Sequence, residues 1–136
     1  MKDSLRAGVT REAKYVVDQG RTTAVLGEDM RVYATPFLIL DVERTCHDLF
    51  KQHADEGEGS VGTKVEIEHL APTLPGTEVT VSVKLIEVNG RRLRFQASVR
   101  DRIEELGRGF HDRFVVQTAK SKERIEKKRA QLKETA

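Results

Sequence analysis

The sequence is short of cysteine, of long apolar runs and of net charge, and each shortage excludes a class of protein. Its single cysteine, Cys46, rules out a disulfide within the chain and is typical of a reducing compartment. No apolar stretch approaches the roughly 20 residues that span a bilayer, and the N-terminus lacks the apolar segment of a signal peptide. We therefore predict a cytoplasmic protein with no membrane partner.

Opposite charges nearly cancel along the chain. The 24 Lys and Arg residues and 22 Asp and Glu residues leave a net charge of +2, which indicates no polyanionic partner. Basic residues gather in the C-terminal stretch, but Glu123, Glu126 and Glu134 interrupt them, and no aromatic side chain is available there for stacking on bases. This pattern favours a solvated helix face over a nucleic-acid surface.

Motifs that hold metals or phosphates are missing too. The histidines are His47, His53, His69 and His111. The intervals between them, and between them and Cys46, are not those typical of metal ligands. The glycines between positions 57 and 62 follow no strand pattern and precede no Lys-Ser/Thr pair, so they do not form a phosphate loop. We predict neither a metal nor a redox cofactor.

What the chain does contain is one long helix pattern followed by a series of strand patterns. Thr35-Pro36 predicts a helix start, because Thr is a favoured N-cap and Pro is tolerated at the first helical position. The helix should run to about Ala54, with an apolar stripe of Leu38, Val42, Cys46 and Leu49 or Phe50. Strand patterns cover residues 11–18, 60–70, 77–88, 91–100 and 106–118, a short extended piece covers 22–26, and Asn89-Gly90 is a strong hairpin signal.

This order of elements predicts an α+β protein with the hotdog fold, in which an antiparallel sheet wraps around one long central helix. We expect the folded domain at residues 1–120 and a charged C-terminal helix or tail at residues 121–136. A meander of this length leaves edge strands open. Edge-to-edge pairing of two sheets in a homodimer, or in a dimer of dimers, is therefore expected.

His69 is the first candidate for chemistry. In the strand pattern that ends at this residue, side chains alternate between two faces. Lys64, Glu66 and Glu68 mark the polar face, and the apolar face carries Val61, Thr63, Val65, Ile67 and His69. A titratable imidazole at the end of an apolar row is either a satisfied core histidine or a catalytic group that faces a cleft.

Thr35 and Glu43 are candidate partners for His69 on the long helix. Glu43 lies eight residues beyond Thr35, which corresponds to about 12 Å along the helix axis. A hydroxyl, a carboxylate and an imidazole serve acyl transfer as nucleophile or water anchor, base and proton shuttle. The free N–H groups of the helix N-terminus are suited to hold an oxyanion.

Each of these residues also has a plainer interpretation. Thr35 is equally well explained as a helix cap alone, and Glu43 as a solvated residue. Asp41 is a second carboxylate, but it points to a different side of the helix. We expect His47 and His111 at the surface, and Cys46 in the core.

Several segments resemble the fluoroacetyl-CoA thioesterase family of hotdog enzymes, in the same order and with similar spacing, from the N-terminus to about residue 120. They are Val32-Tyr33-Ala34-Thr35, Gly57-Glu58-Gly59-Ser60-Val61-Gly62-Thr63, Pro75-Gly76-Thr77-Glu78-Val79-Thr80-Val81, Gly90-Arg91-Arg92-Leu93 and Glu105-Leu106-Gly107-Arg108-Gly109-Phe110-His111-Asp112-Arg113.

The resemblance implies an acyl-CoA thioesterase, with acyl-CoA as its substrate and CoA as part of that substrate. It implies that Thr35, Glu43 and His69 are catalytic, and that Gly62 and Arg113 bind substrate. It further implies a homodimer with two sites at the subunit interface and the pantetheine arm between the subunits.

The chain also departs from that family. The segment Val25–Arg31 is shorter than in the fluoroacetate-specific enzyme and holds none of its lid phenylalanines, and Pro36 stands where that enzyme has Gly. A broader or different acyl group is therefore expected. A non-catalytic acyl-CoA-binding hotdog module is the alternative. A hotdog hydratase ranks lower because no suitable Asp/His pair is present, and a structural domain tethered by its basic tail is a further possibility.

Overall fold

The computed structural model describes residues 1–135, which form one sheet around one long helix. The elements are β1 (Thr10–Val16), β2 (Thr22–Thr23), β3 (Val32–Tyr33), α1 (Thr35–Lys51), β4 (Glu58–His69), β5 (Glu78–Asn89), β6 (Arg92–Arg100), β7 (Glu105–Gln117) and α2 (Thr118–Thr135). Five strands make an antiparallel sheet in the order β1-β5-β6-β7-β4, and β2 pairs with β3 in a separate two-stranded ribbon. The predicted α+β architecture is confirmed.

Helix α1 packs its apolar stripe onto the concave face of the sheet. Leu38, Val42, Cys46, Leu49 and Phe50 are all buried, as their spacing predicts. Burying each of the larger side chains contributes about 2 kcal/mol to the free energy of folding. Burial of this stripe holds α1 against the sheet along its length.

Strands β5 and β6 supply the facing half of the core. The predicted alternation is confirmed by the buried side chains of Val79, Val81, Val83 and Leu85 on β5 and of Leu93, Phe95, Ala97 and Val99 on β6. The hairpin between them differs from the prediction by one position. Asn89 pairs with Arg92, so the loop is Gly90-Arg91, and Gly90 takes the positive φ of +61°.

Strand β4 contains a bulge that the alternating pattern did not predict. Gly62 pairs with Arg113 and Lys64 pairs with Asp112, which leaves Thr63 without a partner on β7. Side chains directly opposite each other share a face of the sheet. Because Val61 pairs with Phe114 on the outer face and is 48% exposed, its assignment to the apolar inner face is wrong.

The bulge puts two groups of β4 residues on the side that faces α1. Before it, Gly62 faces inward with Arg113; after it, Val65, Ile67 and His69 face inward opposite His111, Gly109 and Gly107. Thr63 is the extra residue between these groups and has no partner on β7 that would assign it to a face. One strand therefore presents residues from both of its ends to the helix.

The C-terminal charged segment forms the helix α2, none of whose described residues is buried. The division into a domain at 1–120 and a tail at 121–136 stays a prediction, and Ala136 lies outside the described residues. Among residues 1–135 there is no helix with the length and apolarity needed to cross a bilayer.

Candidate active site

Thr35 and His69 meet at the N-terminus of α1. The N-cap of this helix is Ala34, which makes no side-chain cap hydrogen bond, so the predicted role of Thr35 as the cap is wrong. Thr35 is already the first helical residue. Its Oγ1 is free of the helix backbone and is hydrogen-bonded to His69 Nδ1 at 2.7 Å. The hydroxyl and the imidazole thus form a directly coupled pair.

The imidazole of His69 is kept in its neutral form. Burial lowers the pKa of His69 from its ordinary value, because the charged imidazolium loses hydration. Its Nε2 is buried and has no hydrogen-bond partner among residues 1–135. A neutral imidazole beside a hydroxyl is able to take up a proton from that hydroxyl or from a water molecule that the pair holds.

An open pocket of about 290 Å³ lies over this pair. Apart from Thr35 and His69 its walls are mostly apolar, and they consist of Thr23, Val32, Tyr33, Ala34, Leu70, Ala71 and Pro72. A pocket that combines an apolar wall with a single hydroxyl–imidazole pair is suited to an acyl group with a polar reacting carbon.

A second group of side chains surrounds Arg113 on β7. Its Nε donates to Ser60 Oγ and its Nη2 to the Ser60 carbonyl, both at 2.8 Å. Its Nη1 donates to His111 Nε2 at 3.1 Å and lies 4.0 Å from Glu43 Oε2. The guanidinium is therefore buried beside a half-buried carboxylate, with N–H groups still available to an additional acceptor.

His111 contradicts its predicted surface position, since it is only 1% exposed. Its Nδ1 donates to the Lys64 carbonyl at 2.8 Å and its Nε2 accepts from Arg113, so both ring nitrogens are satisfied only in the neutral imidazole. Burial lowers the pKa of His111, and the charge of Arg113 lowers it further. The hydrogen bonds of His111 to Lys64 on β4 and to Arg113 on β7 compensate for its burial.

Gly62 leaves room inside the second group. A Cβ atom at this position would lie 3.1 Å from His111 Cε1, 3.3 Å from Glu43 Oε2 and 3.5 Å from an Arg113 nitrogen. A side chain here would therefore press on His111 and Glu43 and would contact Arg113. The structure thus brings together Gly62, Glu43 and Arg113, three of the residues that the resemblance implies for the site.

The two groups are separate within one chain. Thr35 and Glu43 are two helical turns apart, about 12 Å along the axis. Among residues 1–135, Glu43 makes no hydrogen bond to Thr35 or His69. The structure thus joins Thr35 to His69, and Glu43 to Gly62 and Arg113, but it does not join the two groups.

Two other potential reactive centres do not contribute. Burial raises the pKa of Cys46 to about 12, so its thiol stays protonated at neutral pH, as expected for a core residue. Within residues 1–135, no three His, Cys, Asp or Glu side chains come together in a way that would hold a metal ion.

One buried polar network escaped the sequence analysis. Asp41 is 0% exposed and accepts hydrogen bonds from the Tyr33 hydroxyl at 2.5 Å and from Arg21 Nε at 3.2 Å. The edge of the network reaches the candidate site, because the rings of Tyr33 and His69 are in edge-on contact, with centroids 6.4 Å apart. Only the position of Asp41 on a different side of α1 was foreseen.

Known proteins resemble the chain over nearly its whole length. Residues 17–119 match the family model described as fluoroacetyl-CoA-specific thioesterase. The fluoroacetyl-CoA thioesterase of Streptantibioticus cattleyicolor is 34% identical over 135 residues, which cover 94% of this chain and 97% of that protein.

Solved structures agree with that match. A phenylalanine-to-alanine mutant of the fluoroacetyl-CoA-specific thioesterase FlK, in complex with fluoroacetate and CoA, superposes with a TM-score of 0.79 at 34% identity, covering 85% of this chain and 98% of that one. A hot-dog-like protein from Thermanaerovibrio acidaminovorans superposes with a TM-score of 0.82 at 23% identity over 90% and 91% of the two chains. This second likeness concerns the fold and confirms the hotdog prediction.

Proposed function

Because this chain belongs to the fluoroacetyl-CoA-specific thioesterase family, we propose that it hydrolyses an acyl-CoA thioester through Thr35, Glu43 and His69. The observation that carries the proposal is the 2.7 Å hydrogen bond between Thr35 Oγ1 and His69 Nδ1. This bond couples a hydroxyl to a neutral imidazole at the mouth of an apolar pocket. The hydrogen bond between Thr35 and His69 is not needed to cap the helix, since Ala34 occupies the N-cap position.

The reaction requires one oxygen nucleophile and one proton carrier. The nucleophile, either a water activated at Glu43 and Thr35 or one of these side chains in a first step, forms a bond to the thioester carbon. If water or the Thr35 hydroxyl attacks, its proton passes through His69 to the CoA thiolate as the carbon–sulfur bond breaks. If the Glu43 carboxylate attacks, the thiolate takes its proton from water. When a side chain has attacked, a water molecule then cleaves the acyl–enzyme bond and restores that side chain. In each case water supplies the new oxygen, and the products are a carboxylic acid and free CoA.

The thioester oxygen gains charge as the nucleophile attacks, and it needs donors. Backbone N–H groups near Gly62 or at the N-terminus of α1 would supply them. Arg113 keeps unused guanidinium N–H groups close to Gly62 and Glu43, which suits a role in binding the substrate. The acyl end would lie beside Gly62, where no side chain projects from the strand.

A homodimer explains how two separate groups form one site. Strand β4 lies at an edge of the sheet and exposes the apolar Val65, which is 40% exposed. A two-fold axis near Val65 and perpendicular to β4 would exchange the two ends of the strand. Gly62 would then face the partner's His69, and Glu43 and Arg113 would complete the partner's Thr35–His69 pair.

The substrate is an acyl-CoA, and fluoroacetyl-CoA is not the acyl-CoA we expect it to prefer. The related thioesterase named above was crystallised with fluoroacetate and CoA. In this chain the segment near the pocket, Val25–Arg31, is short and holds no phenylalanine. Its exposed apolar side chains are instead Val25, Leu26 and Met30, which suit a broader range of short and medium acyl groups.

The test is release of free thiol from a panel of acyl-CoAs that includes acetyl-CoA, fluoroacetyl-CoA and medium-chain species. Thr35→Ala, Glu43→Gln and His69→Ala should each reduce the rate strongly. His53→Ala is the matched control, because His53 bonds only to Ser4 at an exposed position. Tight binding of acyl-CoA without thiol release would reject hydrolysis and select a binding module.

A further inference from the structure

We infer that Tyr33 is a positioning residue for His69, and that Asp41 and Arg21 anchor it. The inference rests on the proposed function, since it concerns the imidazole that would carry the proton. It goes further in assigning a role to a buried network outside the set of Thr35, Glu43 and His69. Four observations support it.

The first is the burial of the Asp41 carboxylate. An ionised carboxylate without contact to water is costly unless it is paired and hydrogen-bonded. Asp41 meets that condition through Arg21, whose Nε lies 3.2 and 3.3 Å from the two carboxylate oxygens, and through the Tyr33 hydroxyl. An apolar residue at this position of α1 would be simpler to bury, so the network is expected to serve more than packing.

The second is the protonation state of Tyr33. Burial raises the pKa of the Tyr33 phenol far above its usual value, and the hydrogen bond to Asp41 raises it further. The phenol therefore keeps its proton at neutral pH, and its hydroxyl donates to Asp41. The hydroxyl end of the ring is fixed at one point.

The third observation is the hydrogen bonding of the backbone N–H groups of Tyr33 and Ala34. The Tyr33 N–H donates to the Thr73 carbonyl at 3.0 Å, and the Ala34 N–H donates to the Arg21 carbonyl at 2.9 Å. Arg21 thus holds the network twice, through its side chain and through its backbone. Thr35 follows directly, so the same contacts fix the start of α1 and the hydroxyl that bonds to His69.

The fourth is the ring contact itself. The planes of Tyr33 and His69 meet at 76°, the edge-on geometry that aromatic pairs favour. With Nδ1 held by Thr35 and one side of the ring held by Tyr33, the imidazole has a single orientation. Its Nε2 is buried beside the Ala71 backbone, so the surroundings of both ring nitrogens are fixed.

The decisive experiment compares Tyr33→Leu with the intact protein in two measurements. In a histidine-selective NMR titration, where His69→Ala assigns the signal, loss of the ring should rehydrate His69 and raise its titration midpoint by about half a pH unit. In the thiol-release assay kcat should fall at least tenfold because the imidazole loses its orientation, with a smaller rise in KM because Tyr33 is also part of the pocket wall. An unchanged midpoint together with an unchanged kcat would overturn the inference.

Tyr33→Phe covers the case in which Tyr33→Leu does not fold. It keeps the ring but removes the anchor, and it should lower kcat about threefold to tenfold and broaden the His69 signal. Tyr15→Phe is its matched control, because Tyr15 also loses a hydroxyl bonded to a residue of α1, Thr45, at 3.0 Å. Equal effects of Tyr33→Phe and Tyr15→Phe on kcat and on His69 would reduce Tyr33 to a structural residue and reject the inference.

The NMR measurement separates this inference from the proposed function. If no acyl-CoA is hydrolysed but the His69 midpoint moves in Tyr33→Leu and not in Tyr15→Phe, Tyr33 still positions His69 and the proposed reaction is wrong. If hydrolysis is observed and His69 does not respond to either Tyr33 variant, the reaction stands and the inference is wrong.

Discussion

Gly62 and His69 face the same side of β4 although seven residues separate them, an odd spacing that places side chains of a regular strand on opposite faces. The bulge at Thr63 accounts for this, because it adds one residue to β4 that has no partner on β7. Both groups of the candidate site depend on it. Without the bulge, either Gly62 or His69 would face away from α1.

Deleting Thr63 should therefore keep both groups of the candidate site on one face. Gly62 and His69 would then be six positions apart, and their partners on β7, Arg113 and Gly107, would be unchanged. We expect thiol release within about tenfold of the intact protein and a loss of stability of about 2 kcal/mol or less. Deleting Thr63 and Lys64 together is the contrast, because the odd spacing of five would turn one end of the strand outward and should reduce thiol release by more than about 100-fold. Full activity of the double deletion would show that the shared face is unimportant.

Replacing Thr35 should affect catalysis without affecting the helix. An N-cap Thr costs about 1 kcal/mol when changed to Ala, but the cap here is Ala34, so Thr35→Ala should leave the urea midpoint nearly unchanged. Its kcat/KM should fall about 100-fold, and Thr35→Ser should keep much of the activity because the hydroxyl remains. A loss of 1 kcal/mol or more in Thr35→Ala would return Thr35 to the role of a cap.

The hydrophobic periodicity of the sequence predicts those parts of the fold in which apolar side chains are buried and polar side chains are exposed. The stripe from Leu38 to Phe50 and the alternation on β5 and β6 were predicted because apolar side chains fill these inner positions. Register inside β4 was not predictable, since a bulge is set by pairing with β7, a partner more than 40 residues away in sequence.

The candidate site likewise contains residues that the sequence predicts and residues that depend on partners distant in sequence. Thr35 and His69 were singled out by position, but their direct bond joins residues 34 positions apart and has no local signal. His111 and Asp41 were misjudged or missed because a polar side chain suggests exposure, whereas each is buried by partners from other elements. The one available signal for His111 was that it shares a strand face with Arg113.

Replacing Arg113 should weaken both substrate binding and folding. A lysine supplies one compact charge and cannot reach Ser60 Oγ, the Ser60 carbonyl and His111 together. Arg113→Lys should raise KM several-fold and destabilise the protein by about 2 kcal/mol. Arg108→Lys, at an exposed position of the same strand, should change neither quantity. The measurements are steady-state kinetics and urea unfolding. An unaltered KM would remove Arg113 from the substrate site.

The neutral state of His111 should appear in the pH dependence of stability. Its pKa is lowered in the folded protein, so the unfolded chain binds more protons below the ordinary histidine value of about 6.5, and stability falls as the pH drops below that value. His111→Gln keeps one donor and one acceptor but does not titrate. It should lose less stability than the intact protein between pH 7.5 and about 5.

Urea unfolding at several pH values measures this difference. His53→Gln is the control, because His53 is bonded only to Ser4 at an exposed position, and it should follow the intact protein. An equal loss of stability in His111→Gln and the intact protein would show that folding does not lower the pKa of His111.

Mixing two inactive variants tests whether the site is shared between subunits. In a dimer that pairs the Thr35–His69 group of one chain with the Glu43–Arg113 group of its partner, a heterodimer of Thr35→Ala and Glu43→Gln keeps one site with both groups intact. Random assortment makes half of the dimers mixed, so co-refolding equal amounts should restore about one quarter of the activity of the intact protein. If each chain held a complete site, both variants would stay inactive in the mixture. Mixing Thr35→Ala with His69→Ala is the control, since both changes fall in the same group and leave no intact site.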